Sequence, residues 1–256
     1  MITRRDTVLG GLLTVSWGFV PCNCAAQELR TRHSFGCMLA ADEADQFLKK
    51  STEQQLFLTG KEEIIAKSGD REFDYALAQT LSRLADMFQV LPGFAYFDDS
   101  DAPNAYATTV ARMKRADGTV LYGMHLLKRS LSAQESPDAV VASICAHEFG
   151  HILQYKHGLD KVLLAGQPTV MRLELHADYL SGYFAGARKL QKKNYPAAVF
   201  ATSQYAAGDN MINNHAHHGR PEERAAAVVR GFEVAYRERR QLAEAIQIGV
   251  NYVSTL

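Results

Sequence analysis

The sequence lacks an excess of charge of either sign. Its 256 residues include 28 lysines and arginines and 28 aspartates and glutamates, and they form no basic patch or block of like charge. Proteins that hold nucleic acid or anionic membrane surfaces use clustered positive charge. The sequence therefore predicts neither of these partners. Internal repeats and low-complexity tracts are lacking as well.

The sequence also lacks an apolar run long enough to form a stable membrane span. Arg4 and Arg5 precede a short, glycine-containing apolar stretch, and small residues follow as far as Ala26. This order is typical of an export signal, and the arginine pair resembles a twin-arginine signal. We expect residues 1–26 to be cleaved, which predicts an exported bacterial protein, periplasmic or secreted. The alternative is a retained N-terminal membrane anchor.

Cysteine is scarce, with four residues in the whole chain. Cys22 and Cys24 lie in the predicted signal, where the preceding residues are a poor match to a lipidation site. Cys37 and Cys145 remain after cleavage. Three interpretations are open for them: a disulfide between the two, a buried apolar thiol at Cys145, and a Cys37 thiolate that caps a metal.

One stretch has the spacing of metal ligands. His147 and His151 lie in an apolar segment, and in a helix both rings leave the same face about one turn apart. Two histidines so placed can hold one zinc ion. Glu148 lies off that face but near enough to act as the general base on a metal-bound water.

Signals on both sides predict a helix around this motif. Ser136 is a candidate cap, Pro137 suits the first helical position, and Asp138 adds negative charge at the positive end of the dipole. Gly158 is a candidate stop. The motif then lies within a helix of about five turns.

A second cluster lies on a helix predicted from about residue 168 to residue 189. Zinc held by two histidines needs a third protein ligand, and Glu174 supplies it if this helix packs antiparallel to the first. Asp178, one turn later, can accept a hydrogen bond from the other ring nitrogen of a ligand histidine. The two clusters together predict one zinc ion per chain.

These motifs resemble those of the gluzincin zinc metallopeptidases, which combine H-E-x-x-H with a distal E-x-x-x-D. The resemblance is to the small gluzincins and the neutral zinc metallopeptidase branch, and it covers roughly residues 94–226. Further matching segments are Asn104-Ala105-Tyr106-Ala107, the strand-like 117–122, Gln154 after the motif, and His218-Gly219 followed by Arg224.

The resemblance implies a zinc-dependent endopeptidase that acts on peptides or unfolded proteins of the cell envelope. It implies a minigluzincin-like core in which a small mixed sheet covers the motif helix. The edge strand 104–107 would hold the substrate through its main chain. His218 or Arg224 would stabilise the oxyanion, or Arg224 would merely orient neighbouring carboxylates.

The remaining patterns predict an α+β fold that is mainly helical. Helices are expected over 40–58, 70–90 and 221–247, with a strand at 94–97 and a hairpin of 105–114 and 119–127. The expected divisions are a signal (1–26), an N-terminal helical segment (27–90), a metallopeptidase core (91–226) and a C-terminal helix of the same domain (227–256).

Other interpretations of the same residues stay open. The chain can be a silent zinc protein that acts as a binding or chaperone-like module, or an amidase of cell-wall peptides on the same scaffold. Asp98, Asp99 and Asp101 fit a polar loop better than a calcium site, because they lack the spacing of an EF-hand. His215 and His217 fit a loop better than a second metal site.

Overall fold

The computed structural model describes residues 37–62 and 68–256. These residues form an α+β fold that is mainly helical and includes a small mixed sheet, as the sequence predicts. The helices are α1 (Ala41–Lys49), α2 (Arg71–Phe88), α3 (Met124–Leu131), α4 (Pro137–His157), α5 (Leu159–Leu164), α6 (Met171–Gln191), α7 (Ala198–Ala206), α8 (Pro221–Tyr236) and α9 (Leu242–Ser254). The strands are β1 (Met38–Leu39), β2 (Gly93–Phe97), β3 (Ala105–Thr108) and β4 (Thr119–Gly123).

The predicted export signal, residues 1–26, lies outside the described residues. Within 37–62 and 68–256, no helix combines the length and the apolar character that crossing a membrane requires.

The four strands form one sheet in the order β1-β3-β4-β2. β3 and β4 are antiparallel, with Ala107 opposite Val120, whereas β1 runs parallel to β3 and β2 runs parallel to β4. Both β3 and β4 pack on α4. The sheet therefore lies against the helix that contains the histidine motif.

β3 is not an edge strand in the described structure, which differs from the expectation for 104–107. β1 lies on its outer side, with Met38 opposite Ala107, and the Ala107 amide donates to the Cys37 carbonyl at 2.9 Å. Met38 and Leu39 are both buried, and removing these apolar side chains from water stabilises the pairing. An extended substrate can pair with β3 only if β1 leaves.

Helix α4 has the predicted bounds, but its first turn differs from the prediction. Pro137 occupies the first helical position, and Gly158 ends the helix at a φ of 65°, with its amide donating to the Gln154 carbonyl. Ser136 has a φ of 46° and its side chain makes no capping hydrogen bond, so its predicted role is wrong. Its main-chain carbonyl accepts from the Ala139 amide at 2.8 Å instead.

Helix α2 matches the prediction for 70–90. Asp70 caps it by accepting hydrogen bonds from the amides of Glu72 and Phe73, at 2.9 and 3.1 Å. Its buried face packs on α4. Large apolar residues recur on that face at three- and four-residue intervals: Leu77, Leu81, Leu84 and Phe88.

Two glycines permit the close approach of α4, α6 and α8. A β-carbon at Gly150 on α4 would lie 3.2 Å from the Cα of Ala177 on α6. At Gly182 on α6, a β-carbon would lie 1.9 Å from the carbonyl oxygen of Val228 on α8. Because nothing larger than hydrogen fits at Gly182, even alanine would force α8 away from α6. The three helices therefore bring side chains from distant parts of the chain together.

The predicted helix 40–58 ends at Lys49. The chain that follows runs along β2, where the amide of Gln55 donates to the Phe94 carbonyl at 3.0 Å. The open edge of β2 offers main-chain groups that need partners, and pairing with them overrides the helical pattern of 51–58.

The predicted final helix, 221–247, is two helices. α8 ends at Tyr236 and α9 begins at Leu242, and between them Arg239 has a φ of 59°. This left-handed residue reverses the chain, so that α9 packs back on α6. The boundary predicted between residues 226 and 227 falls inside α8.

The predicted hairpin is also shorter than expected. β3 ends at Thr108, and β4 ends at Gly123, where α3 begins. The Asp99 carboxylate accepts from the amides of His125 and Leu126, at 2.6 and 3.1 Å, which satisfies the first turn of α3. Asp99 therefore has a structural role in the polar loop that precedes β3.

Candidate metal centre

Helices α4 and α6 bring two imidazoles and one carboxylate to a single point. His147 Nε2 lies 3.1 Å from His151 Nε2 and 3.2 Å from Glu174 Oε2, and His151 Nε2 lies 3.6 Å from Glu174 Oε1. Ligands of a tetrahedral zinc ion, at bond lengths of about 2.1 Å, lie about 3.4 Å apart. The exposed fractions of the three residues are 3%, 0% and 0%. These buried groups can hold a metal ion.

Gln154 fixes the ring of His151. Its Oε1 lies 2.8 Å from His151 Nδ1, while its Nε2 donates to the Leu173 carbonyl at 2.8 Å and lies 3.1 Å from His176 Nδ1. Burial lowers the pKa of His176 to about 4, so that ring is a neutral acceptor. The amide oxygen must then face His151 and accept from its Nδ1. In a neutral ring, Nε2 of His151 is left to present its lone pair to the site.

Replacing Gln154 with methionine, which has a similar volume, is expected to weaken metal binding by about 10- to 100-fold. The His151 ring would lose the acceptor that fixes its orientation. Competition with a chromogenic chelator measures the dissociation constant, and the exposed Gln247→Met is the matched control. An unchanged dissociation constant in a folded Gln154→Met protein would contradict the orienting role.

Asp178 fixes the ring of His147, in the position that the sequence predicts. Its Oδ1 lies 2.8 Å from His147 Nδ1. Arg224 donates to the same carboxylate twice, from Nε to Oδ2 at 2.7 Å and from Nη2 to Oδ1 at 3.0 Å. It also donates to the Ala207 carbonyl and to Gln204 Oε1. These contacts favour the orienting role of Arg224 over a direct role at the oxyanion.

The charges of the site attract a cation. Burial lowers the pKa of His147, but Asp178 and Glu174 outweigh it and raise that pKa to about 10. Burial opposes ionisation of Glu174, yet the neighbouring histidines, His151 first, hold its pKa well below the usual range. Asp178 is also buried, and its arginine partner holds its pKa below the usual range. Two anionic carboxylates therefore lie beside the imidazoles. Either a proton on a ring nitrogen or a bound metal ion can balance their negative charge.

Glu148 lies beside this ligand set. It is 1% exposed, and one of its carboxylate oxygens is within 4.8 Å of a ring nitrogen of His147. Glu148 also belongs to a second group of potential ligands, with Cys37 and His147, but it lies outside the group formed by His147, His151 and Glu174. A general base needs this position, close to the metal but not bound to it.

His218 reaches the site from the loop between α7 and α8. One of its ring nitrogens lies within 4.8 Å of a Glu174 oxygen. Asp209 holds the loop by accepting from the His218 amide at 3.0 Å. The Nε2 of His218 is buried and has no hydrogen-bond partner among the described residues. His215 and His217 bond elsewhere, to the Pro168 carbonyl and to Asp209.

Cys37 lies at the site as well. Its amide donates to Glu174 Oε1 at 3.3 Å. Its sulfur lies within 4.8 Å of a potential ligand atom on each of four residues: His147, Glu148, Glu174 and His218. Cys145 is buried on α4, and the two cysteines are not joined by a disulfide. Of the interpretations open for Cys37, the geometry thus favours the one in which its thiolate caps a metal.

The predicted substrate strand lies near α4, but its main-chain donors already have acceptors. The amide of Asn104 donates to Asp99 Oδ2 at 3.0 Å, and Asn104 Oδ1 accepts from the Ala105 amide at 2.9 Å. Tyr106 pairs with Leu121 of β4. The remaining member, Ala107, donates to the carbonyl at residue 37. While these hydrogen bonds persist, the main-chain donors of 104–107 are not available to pair with a peptide.

Several supporting residues have roles that the sequence did not predict. Gln154 follows His151 by three positions on one helix, a spacing that brings side chains together and could have shown the contact. Gln204 and Asp209 lie in segments without a motif, and no local pattern indicates their contacts with Arg224 and His218.

We compared the chain with protein-family profiles, with curated protein sequences and with solved structures, and none of the three gives a significant match. The resemblance to gluzincin peptidases therefore stays a prediction, and the function is inferred from the residues of the site.

Proposed function

We propose that the protein is a zinc-dependent metallopeptidase of the gluzincin type that hydrolyses peptide bonds in envelope or secreted proteins. The proposal is carried by the buried triangle of His147, His151 and Glu174, with edges of 3.1, 3.2 and 3.6 Å, and by the Glu148 carboxylate beside it. Two imidazoles, one carboxylate and an adjacent glutamate are the groups that metal-assisted amide hydrolysis uses.

Zinc fits this donor set best among the common metals. It takes imidazole nitrogen and carboxylate oxygen in four-coordinate sites, with bonds of about 2.0–2.2 Å. Magnesium and calcium prefer sites with about six or more oxygen ligands, so two imidazoles disfavour them. Manganese and iron accept the same donors with lower affinity.

Each side chain then has a distinct part in the reaction. Zinc, when bound, supplies a Lewis acid that acidifies water and polarises the substrate carbonyl. Glu148 accepts the proton of the attacking water and delivers it to the leaving amine. His218 donates a hydrogen bond to the developing oxyanion. Asp178 and Gln154 orient the ligand histidines, and Arg224 holds Asp178 in place.

The minigluzincin-like arrangement is part of the same proposal. The mixed sheet lies on α4, and α6 contributes the third ligand. An extended peptide or unfolded protein would align along 104–107 by main-chain hydrogen bonds, once β1 no longer occupies β3. The predicted export signal would bring the enzyme to substrates in the envelope or outside the cell.

A silent zinc protein that acts as a binding or chaperone-like module is the second candidate. Burial of the site favours it, since Glu148 is 1% exposed and His147 is 3% exposed. Structural zinc sites have four protein ligands and no place for a reacting water. In that case Cys37 would be a permanent fourth ligand.

Incubation of the purified full chain and its Cys37→Ala variant with casein and with cell-wall peptide fragments tests the proposal. We expect casein cleavage that a zinc chelator stops and that added zinc restores. Cleavage of the cell-wall fragments alone would point to the amidase. Hydrolysis that continues after the metal has been removed would refute zinc-dependent catalysis, and a zinc-loaded Cys37→Ala protein that cleaves neither substrate would favour the silent module.

A further inference from the structure

Residues 37–39 lie at two places that the proposed function needs. Met38 and Leu39 form β1, which pairs with β3 along the strand expected to align a substrate. Cys37, next to them, lies against the metal-capable side chains. One short segment therefore covers both the strand and the ligand set.

Both main-chain polar groups of Cys37 make hydrogen bonds to neighbouring elements. Its carbonyl accepts from the Ala107 amide at 2.9 Å, and its amide donates to Glu174 Oε1 at 3.3 Å. These bonds keep the sulfur within 4.8 Å of a potential ligand atom on His147 and of one on Glu174, in two groups that do not include His151. A thiolate on the same zinc ion would lie about 3.5 Å from the other ligands. Coordination therefore requires the sulfur to move closer to these atoms, by more than about 1 Å in the case of His151.

A second observation comes from His218. Its Nε2 is buried and has no hydrogen-bond partner among residues 37–62 and 68–256, although a buried imidazole nitrogen left without a partner costs free energy. A ring nitrogen of His218 and the Cys37 sulfur belong to the same group of potential ligands, within 4.8 Å of each other and of Glu174. Because Nδ1 of this ring faces Asp209 Oδ2 at 3.5 Å, Nε2 is the ring atom left to contact a group bound at the metal site.

We propose that Cys37 is the fourth zinc ligand of the intact chain and that residues 37–39 hold the peptidase in a latent state. The inference rests on the proposed function. On coordination the thiol releases its proton to solvent, and the sulfur occupies the position that a reacting water needs; no electron transfer is involved. β1 at the same time prevents a peptide from pairing with β3. Activity then requires that the segment leave the site, by displacement or by cleavage of the chain.

Covalent attachment makes this blockade effective. A group tethered by a short segment has an effective concentration on the order of millimolar, above that of most protein substrates. The segment lies directly before α1, which begins at Ala41. Release of residues 37–39 would have to break the pairing with β3 and expose Met38 and Leu39, but it would leave the three metal-capable side chains in place on α4 and α6.

X-ray absorption at the zinc edge tests the ligation directly. In the wild type and in Cys145→Ala, we expect one sulfur neighbour at about 2.3 Å, which should be missing in Cys37→Ala. Cys145 is the matched control because it is the other buried cysteine of the described chain. Zinc-loaded wild type without a sulfur neighbour would overturn the inference and leave the proposed function intact. Failure of the wild type to bind zinc would instead overturn the proposed function.

Hydrolysis of a short fluorogenic peptide tests the latency. Cys37→Ala is expected to be faster than the wild type by about tenfold or more, whereas Cys145→Ala should match the wild type. Circular dichroism and zinc content show whether each variant is folded and loaded. A sulfur ligand in the wild type, combined with no gain of activity in a folded and zinc-loaded Cys37→Ala protein, would overturn the inhibitory role.

Discussion

Replacing Glu148 with glutamine is expected to lower kcat by about 10³-fold while zinc remains bound. The amide of glutamine has nearly the shape of the carboxylate but cannot accept the proton of the attacking water. The proposed metal ligands are on other residues, so the zinc content should match that of the wild type. Peptide hydrolysis and elemental analysis of the same samples measure both quantities.

The exposed Glu135, which lies just before α4, provides a matched control. Glu135→Gln removes a carboxylate from the same region and should leave both quantities unchanged. A Glu148→Gln protein that cleaves at the wild-type rate would contradict the general-base assignment. If turnover and zinc disappeared together, Glu148 would be a metal-binding residue and not the base.

Replacing Arg224 with methionine is expected to lower the free energy of unfolding of the metal-free protein by about 3–5 kcal/mol. Arg224 is 3% exposed, and it is the cation that donates twice to the fully buried Asp178 carboxylate. Removing it leaves that negative charge in the core without its main partner. Urea unfolding of the metal-free protein measures the effect.

Arg237→Met is the matched control for this prediction. The side chain of Arg237 is 71% exposed and pairs with Glu233 on the helix surface, where an ion pair contributes at most about 1 kcal/mol. Equal stabilities for Arg224→Met and Arg237→Met would contradict the role assigned to Arg224. Zinc affinity should also fall in Arg224→Met, because Asp178 no longer holds His147 in place.

The metal-capable group of side chains could be predicted because it follows from local spacing. His147 and His151 are four residues apart on one helix, and so are Glu174 and Asp178 on another. Helical geometry alone places each pair on one face. The number of ligands that zinc needs then predicts that the two faces meet.

Contacts between distant parts of the chain could not be predicted in this way. Cys37 and Glu174 are separated by 137 positions, and Asp178 and Arg224 by 46. A strand of two residues has no period to detect, so nothing in the sequence indicated that β1 would cover β3. Hydrophobic periodicity describes one element at a time and does not specify which elements pair.

The errors in the helices have the same origin. The pattern of residues 51–58 fits a helix, but the open edge of β2 offers main-chain partners that a helix cannot use. The pattern of 221–247 is helical throughout, yet the chain turns at Arg239, where α9 folds back on α6. Tertiary contacts therefore decided both boundaries, against local propensity.

Elemental analysis of the purified full chain, wild type beside Glu174→Ala, is the most direct test of the central claim. Glu174→Ala removes one of the three donors and leaves both histidines in place. We predict about one zinc ion per wild-type chain and a large loss in the variant. Wild-type protein without zinc, prepared in the absence of chelators, or an undiminished zinc content in Glu174→Ala, would contradict the assignment of His147, His151 and Glu174 as the metal site.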